Sequence, residues 1–219
     1  MSSEIWKICE NKSAEDYFKM CKQIGILKSD TIAVNILADA CQGMLDAYDE
    51  IINDQNEYVI EIDDIITKAE NTFNDIQSKI EKLKEEINEL RQKADDGTIT
   101  EEEREELSSK LGELRRLEDL SISSIKQEKN ELSSKNNELD SECRSKAKIA
   151  TDYGKTAVEK GKPLAETEVK GGFFRKLFGS TGKSKKAAGE KAVSVGTNLL
   201  NKVKESSGIQ DDIDKKLNK

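Results

Sequence analysis

LDAYDEIINDQNEYVIEIDDIITKAENTFNDIQSKIEKLKEEINELRQKA, residues 45–94, carries apolar side chains at alternating steps of three and four. One stripe is Leu45, Ile52, Val59, Ile66, Phe73, Ile80, Ile87 and Ala94; its companion is Tyr48, Gln55, Ile62, Ala69, Ile76, Leu83 and Leu90. Gln55 is the one polar member, and the positions between are mostly Glu, Asp, Lys, Asn and Gln. A seven-residue repeat of this length holds one narrow seam against a partner helix, so the stretch predicts a coiled coil. A rod of that kind has no concave pocket in which to hide chemistry. The lattice runs back through Cys41, Ala38 and Val34, which predicts one helix from Thr31 to Ala94. At about 1.5 Å per residue it would be about 95 Å long, with Gly43 as a defect costing about 1 kcal/mol.

Asp95-Asp96-Gly97-Thr98-Ile99-Thr100 breaks the pattern. Gly97 supplies a reversal, and Thr100 with Glu103 forms a capping box for a second helix whose first turn holds Glu101, Glu102 and Glu103. A calcium loop with Gly97 at its sixth position would put Gln92 and Ala94 where oxygen ligands belong, so the segment reads as a turn. Beyond it Leu107, Leu111, Leu114, Ile122, Ile125, Leu132, Leu139, Cys143 and Ala150 mark a returning seam. Folding back sets Leu107 near Ile87, Leu114 near Ile80, Ile125 near Ala69 and Leu132 near Ile62. The arms 45–94 and 101–150 match in length, which favours an antiparallel hairpin over one continuous rod.

Glu118, Lys129 and Asn136 fall where the returning arm should supply apolar knobs. The outgoing arm therefore has more apolar surface than its partner covers, and Ile52, Val59, Ile62, Ile66, Phe73, Ile76 and Ile80 are the expected self-association residues. A second copy would bury the surplus; so would an N-terminal helix docked near the hairpin base.

The expected organisation has four parts. Residues 1–28 form a short amphipathic helix capped at Ser13 and stopped at Gly25, with Trp6, Tyr17, Phe18 and Cys21 as core contacts. Residues 29–150 form the hairpin with its turn at 95–100, and 151–169 a linker or frayed helix. Residues 170–219 form a Gly-rich, basic, partly helical C-terminal region with a loose end at Ile209–Leu217. The fold class is all-α and elongated. High charge (37%) and few aromatics (5%) argue against a large globular core, while the apolar residues are too regularly placed for wholesale disorder.

Charge is distributed unevenly. From Lys170 to Lys204 nine basic residues face one acidic residue, Glu190, so this window is +8 and the remainder −16 for a net −8. The window opens on the apolar cluster Phe173, Phe174, Arg175, Lys176, Leu177 and Phe178. Ala188, Ala192, Val195, Leu199 and Val203 follow at helical spacing, with Leu200 beside them and Lys183, Lys185, Lys186 and Lys191 on other faces. Aromatics that enter an acyl boundary and lysines that meet anionic head groups are the chemistry of an interfacial segment. The same residues could instead pack onto the hairpin base with their lysines solvated. An acidic protein partner is another target for the charge; nucleic acid fits poorly, because the acidic remainder repels phosphate and no reading element is present.

Catalysis has little to stand on. The chain lacks histidine and has no nucleophile elbow, and its carboxylates fall on solvated helix faces. Gly179-Ser180-Thr181-Gly182-Lys183-Ser184 fails as a phosphate loop, since Leu177 stands where the first glycine is required. Cys9, Cys21, Cys41 and Cys143 form no CxxC pair, so reduced thiols on apolar helix faces are expected in place of a zinc site. No cofactor is expected. No signal peptide or membrane span is recognisable, which places the chain in the cytoplasm, peripheral on a membrane at most, with any export by a signal-independent route. Three functions fit. The first is a coiled-coil hairpin that self-associates and engages an anionic membrane. The second is a secreted effector or toxin-like protein, pore-forming or translocator-type, that inserts into membranes. The third is an intracellular scaffold for an acidic partner.

Overall fold

The computed structural model describes the backbone of residues 2–24, 30–167 and 175–218, and their side chains except at 2–5, 24, 122–126 and 175–181. Among the described residues the protein is all-helical: α1 (Ser2–Glu10), α2 (Ala14–Ile24), α3 (Asp30–Asp95), α4 (Glu101–Ala165) and α5 (Arg175–Leu217). Two compact units emerge, one from residues 1–57 with 137–215, the other from 58–136 with 216–219.

In the first unit the expected single N-terminal helix is two. Residues 11–13 interrupt it, and the Ser13 hydroxyl accepts the Asp16 N–H at 3.2 Å as the cap of α2. The Ala14 N–H is satisfied from α4, donating to Asp152 Oδ2 at 2.8 Å. Trp6 lies edge-on to Tyr48 with ring centroids 6.2 Å apart, and Tyr17 tilts against Tyr153 at 5.6 Å. These rings join Phe18, Leu37, Cys41, Met44 and Leu199 in one core, as the N-terminal aromatics led us to expect.

Helix α4 runs past Ala150 to Ala165, so the segment 151–169, expected as a linker or a frayed helix, is helical over most of its length. Its glycines are contact points. A Cβ at Gly161 would sit 2.9 Å from the Gly189 carbonyl oxygen, and one at Gly196 2.7 Å from that of Gly154. Glycine's helix penalty of about 1 kcal/mol is thus set against a backbone approach that no other residue permits. Pro163 sits in the last turn of α4. Helix α5 likewise continues through the end expected to be loose, and Ile213 there is fully buried.

The second unit holds the tip. Gly97 adopts φ +70°, the Gly97 N–H donates to the Ala94 carbonyl and the Thr98 N–H to that of Lys93, which closes α3 with a glycine cap. The capping box then starts α4: the Glu103 N–H donates to Thr100 Oγ1 at 3.2 Å and the Thr100 N–H to Glu103 Oε2 at 2.9 Å. From the tip downward Lys93 pairs with Glu103, Glu86 with Lys110, Lys84 with Glu118 and Glu61 with Lys135. As the α3 number falls the α4 number rises, so the two helices run in opposite directions here. Ile80, Leu83, Ile87 and Leu90 are buried on α3, whereas Leu107, Leu111 and Leu114 of α4 are half-buried.

Candidate interaction surfaces

The apolar face of α5 is occupied within the first unit. Leu199 is fully buried, and Leu200 lies against Gly154, where an added Cβ would meet its Cγ at 3.0 Å. Both were expected at a membrane or partner surface; Leu199 is enclosed here, while Leu200 stays half-buried. Leu199 is enclosed because the α5 stripe packs on apolar residues of α3 and α4 in this unit. Lys191 donates to Asp39 at 2.6 Å and Lys202 pairs with Asp49 at 3.0 Å, so these lysines are matched by α3.

Lys183, Lys185 and Lys186 differ. All three are exposed; Lys186 pairs within its own helix with Glu190 at 3.8 Å, and Lys183 and Lys185 have no acidic partner among the described residues. Phe173 and Phe174 lie outside the described residues. Arg175, Lys176, Leu177 and Phe178 belong to the first turn of α5, but their side chains lie outside them too.

Between α3, α4 and α5 sits a polar node that the apolar-seam reading missed. Gln55 is fully buried. Its Nε2 donates to the Ser206 carbonyl at 3.1 Å and to Gln210 Oε1 at 3.3 Å, with Cys143 Sγ at 3.5 Å, and the Ser206 hydroxyl donates to Gln55 Oε1 at 2.8 Å. Burial raises the pKa of the Cys143 thiol. The signal was present as the one polar residue in the α3 seam; its partners lie in a segment that glycine content disguised. All four cysteines are free and buried, and the described residues contain no group of three or more His, Cys, Asp or Glu able to hold a metal.

The expected self-association residues divide. Ile52, Ile62 and Ile80 are buried within the chain, Val59, Ile66 and Ile76 are half-buried, and Phe73 is 38% exposed. The first three are enclosed by the chain's own fold, so surface for a second copy is left at Val59, Ile66, Phe73 and Ile76. In the second unit Ile65, Ile66, Ala69 and Phe73 of α3 line a groove of about 660 Å³ together with Glu128, Lys129 and Leu132 of α4 and Leu217 of α5. No helix is long and apolar enough to cross a membrane among the described residues.

The chain matches no family model, no curated protein and no solved structure. The fold alone therefore defines its class, an all-helical protein.

Proposed function

We propose that this chain is a non-enzymatic interaction protein: α3 and α4 form an antiparallel coiled-coil hairpin, the uncovered stretch of α3 docks another helix, and the basic start of α5 engages an anionic membrane surface. Two copies meeting at Ile66, Phe73 and Ile76 would be the self-association expected from the heptads; the reading requires only that a helix docks there. Alternating apolar spacing on both arms and opposite running of their ion pairs support the coiled coil.

The observation carrying the membrane contact is the division of lysines along α5. Lys191, Lys202 and Lys216 each pair with an aspartate of α3, while Lys183 and Lys185 stay exposed and unmatched among the described residues. Positive charge is thus neutralised at three points where α5 packs, with Lys204 exposed between them, and is left over where the helix begins. Each lysine near an anionic bilayer contributes about 1 kcal/mol.

Co-sedimentation with vesicles of mixed phosphatidylserine and phosphatidylcholine tests the reading. Wild type should bind these and ignore pure phosphatidylcholine at low salt. Changing Lys183, Lys185 and Lys186 together to Glu should weaken binding by roughly 100-fold or more. Wild-type protein left in the supernatant with anionic vesicles would refute the membrane contact, and release of an entrapped dye would replace tethering by insertion.

A further inference from the structure

The groove beside Phe73 repeats, in unfilled form, the chemistry with which α3 holds α5. In the first unit α3 presents Asp39 and Asp49 to Lys191 and Lys202 of α5 beside a shared apolar seam. In the second unit Asp63 takes Lys216, and Leu217, the last residue of α5, is part of the groove's lining. Asp49, Asp63 and Glu70 are heptad-equivalent on α3, separated by two repeats and then one. Two of these three carboxylates hold lysines. Glu70 lines the groove one repeat beyond the last occupied acid, exposed and without a cationic partner among the described residues.

The apolar part continues in step. Ile66, Ala69 and Phe73 follow at spacings of three and four, and the polar Glu128 and Lys129 leave Leu132 as their one aliphatic neighbour from the described lining of α4. With the Asp63–Lys216 pair neutral, the described lining retains the carboxylates of Glu70 and Glu128 against the ammonium of Lys129. A concave apolar strip with an acidic rim selects a helix of complementary pattern.

We propose that this groove docks a basic amphipathic helix of a partner protein, laid along α3 beyond Leu217, with an aliphatic stripe on Ile66, Ala69 and Phe73 and a Lys or Arg on Glu70. The inference rests on the helix-docking reading above and names the helix. Its nearest chemical analogue is the chain's own α5, in which Lys191 and Lys202 accompany the stripe Ala188, Ala192, Val195, Leu199 and Val203.

A synthetic peptide of residues 187–204 is therefore the probe, added to the full chain with its isoleucine methyl groups labelled for NMR. Saturable shifts should appear at Ile65 and Ile66. Glu70→Lys in the protein, or Lys191, Lys202 and Lys204→Glu in the peptide, should each weaken binding about tenfold or more. Equal binding of the charge-reversed peptide, or no shift at Ile65 and Ile66, overturns the proposal. Sedimentation of the protein alone separates the two levels: a dimer that Phe73→Ser dissolves would mean that a second copy owns the groove, so helix docking survives while the basic partner falls. If neither peptide nor copy binds, both fall.

Discussion

Gln55 and Ser206 hold each other twice, the serine hydroxyl donating to the glutamine Oε1 at 2.8 Å and the glutamine Nε2 to the serine carbonyl at 3.1 Å. The pair joins α3 to α5 inside an otherwise apolar seam, where each unmade hydrogen bond would cost about 1–3 kcal/mol. Gln55→Ala takes away the acceptor of the Ser206 hydroxyl and the donor to Gln210 Oε1 and opens a void, so it should destabilise the protein by about 2–4 kcal/mol. Replacing all three together, Gln55→Leu with Ser206→Ala and Gln210→Leu, should recover most of that loss, because no buried polar group is left alone. Urea unfolding followed by circular dichroism decides; an unchanged midpoint for Gln55→Ala would mean that the node does not form.

Two glycines of α5 should respond in opposite directions. A Cβ added at Gly189 would lie 2.2 Å from the Ala165 nitrogen and 2.6 Å from the Gly161 oxygen, so Gly189→Ala must push α4 and α5 apart at a cost of about 1–3 kcal/mol or more. A Cβ at Gly182 meets nothing within 4 Å among the described residues, and Gly182→Ala should gain about 0.5–1 kcal/mol through helix propensity. Thermal melts of the two variants should bracket wild type.

At the turn between α3 and α4 the Lys93 ammonium, hydrogen-bonded to Glu103, together with the Thr100 N–H, holds the Glu103 carboxyl below its ordinary value. A depressed carboxylate stabilises the fold above its unfolded pKa of about 4.3, and that contribution is lost as pH falls through the lower folded value. Carboxyl NMR should show Glu103 titrating early among the glutamates, and Lys93→Ala should move it upward. Thr100→Ala removes the cap itself and should cost about 1 kcal/mol.

Burial pushes the Cys41 thiol up to about 12, with nearby Cys9 adding to the shift. A raised thiol pKa stabilises the fold fully below the unfolded value of about 8.5, and the contribution drains away as pH rises from there toward 12. At pH 8 Cys41 should resist a thiol reagent in native protein and react at once in urea. Rapid native labelling would contradict the buried position of Cys41 in the core.

The long helices and their reversal were legible because their causes are local. Heptad spacing on residues 45–94, a glycine at the left-handed position and a Thr-x-x-Glu box act within a few residues of one another, and α3, the tip and the start of α4 follow them. Gln55 was legible as an exception within its stripe, though not as a node. The continuation of α4 beyond Ala150 was legible only as one of two alternatives, a linker or a frayed helix, and that of α5 beyond Ile209 was not legible, since Gly154, Gly161, Gly189 and Gly196 read locally as helix breakers.

By its own pattern the chain determined which segments become helices, where they reverse, and that α3 has apolar surface to spare. Tertiary structure alone decided what covers that surface. Glycine faces on α4 and α5 permit backbone approach only when brought opposite each other, and Gln55 is satisfied only when Ser206 arrives from 151 residues away. Such contacts depend on pairing between distant segments, so Leu199 passes from a candidate surface residue to the core while Phe73 remains partly exposed.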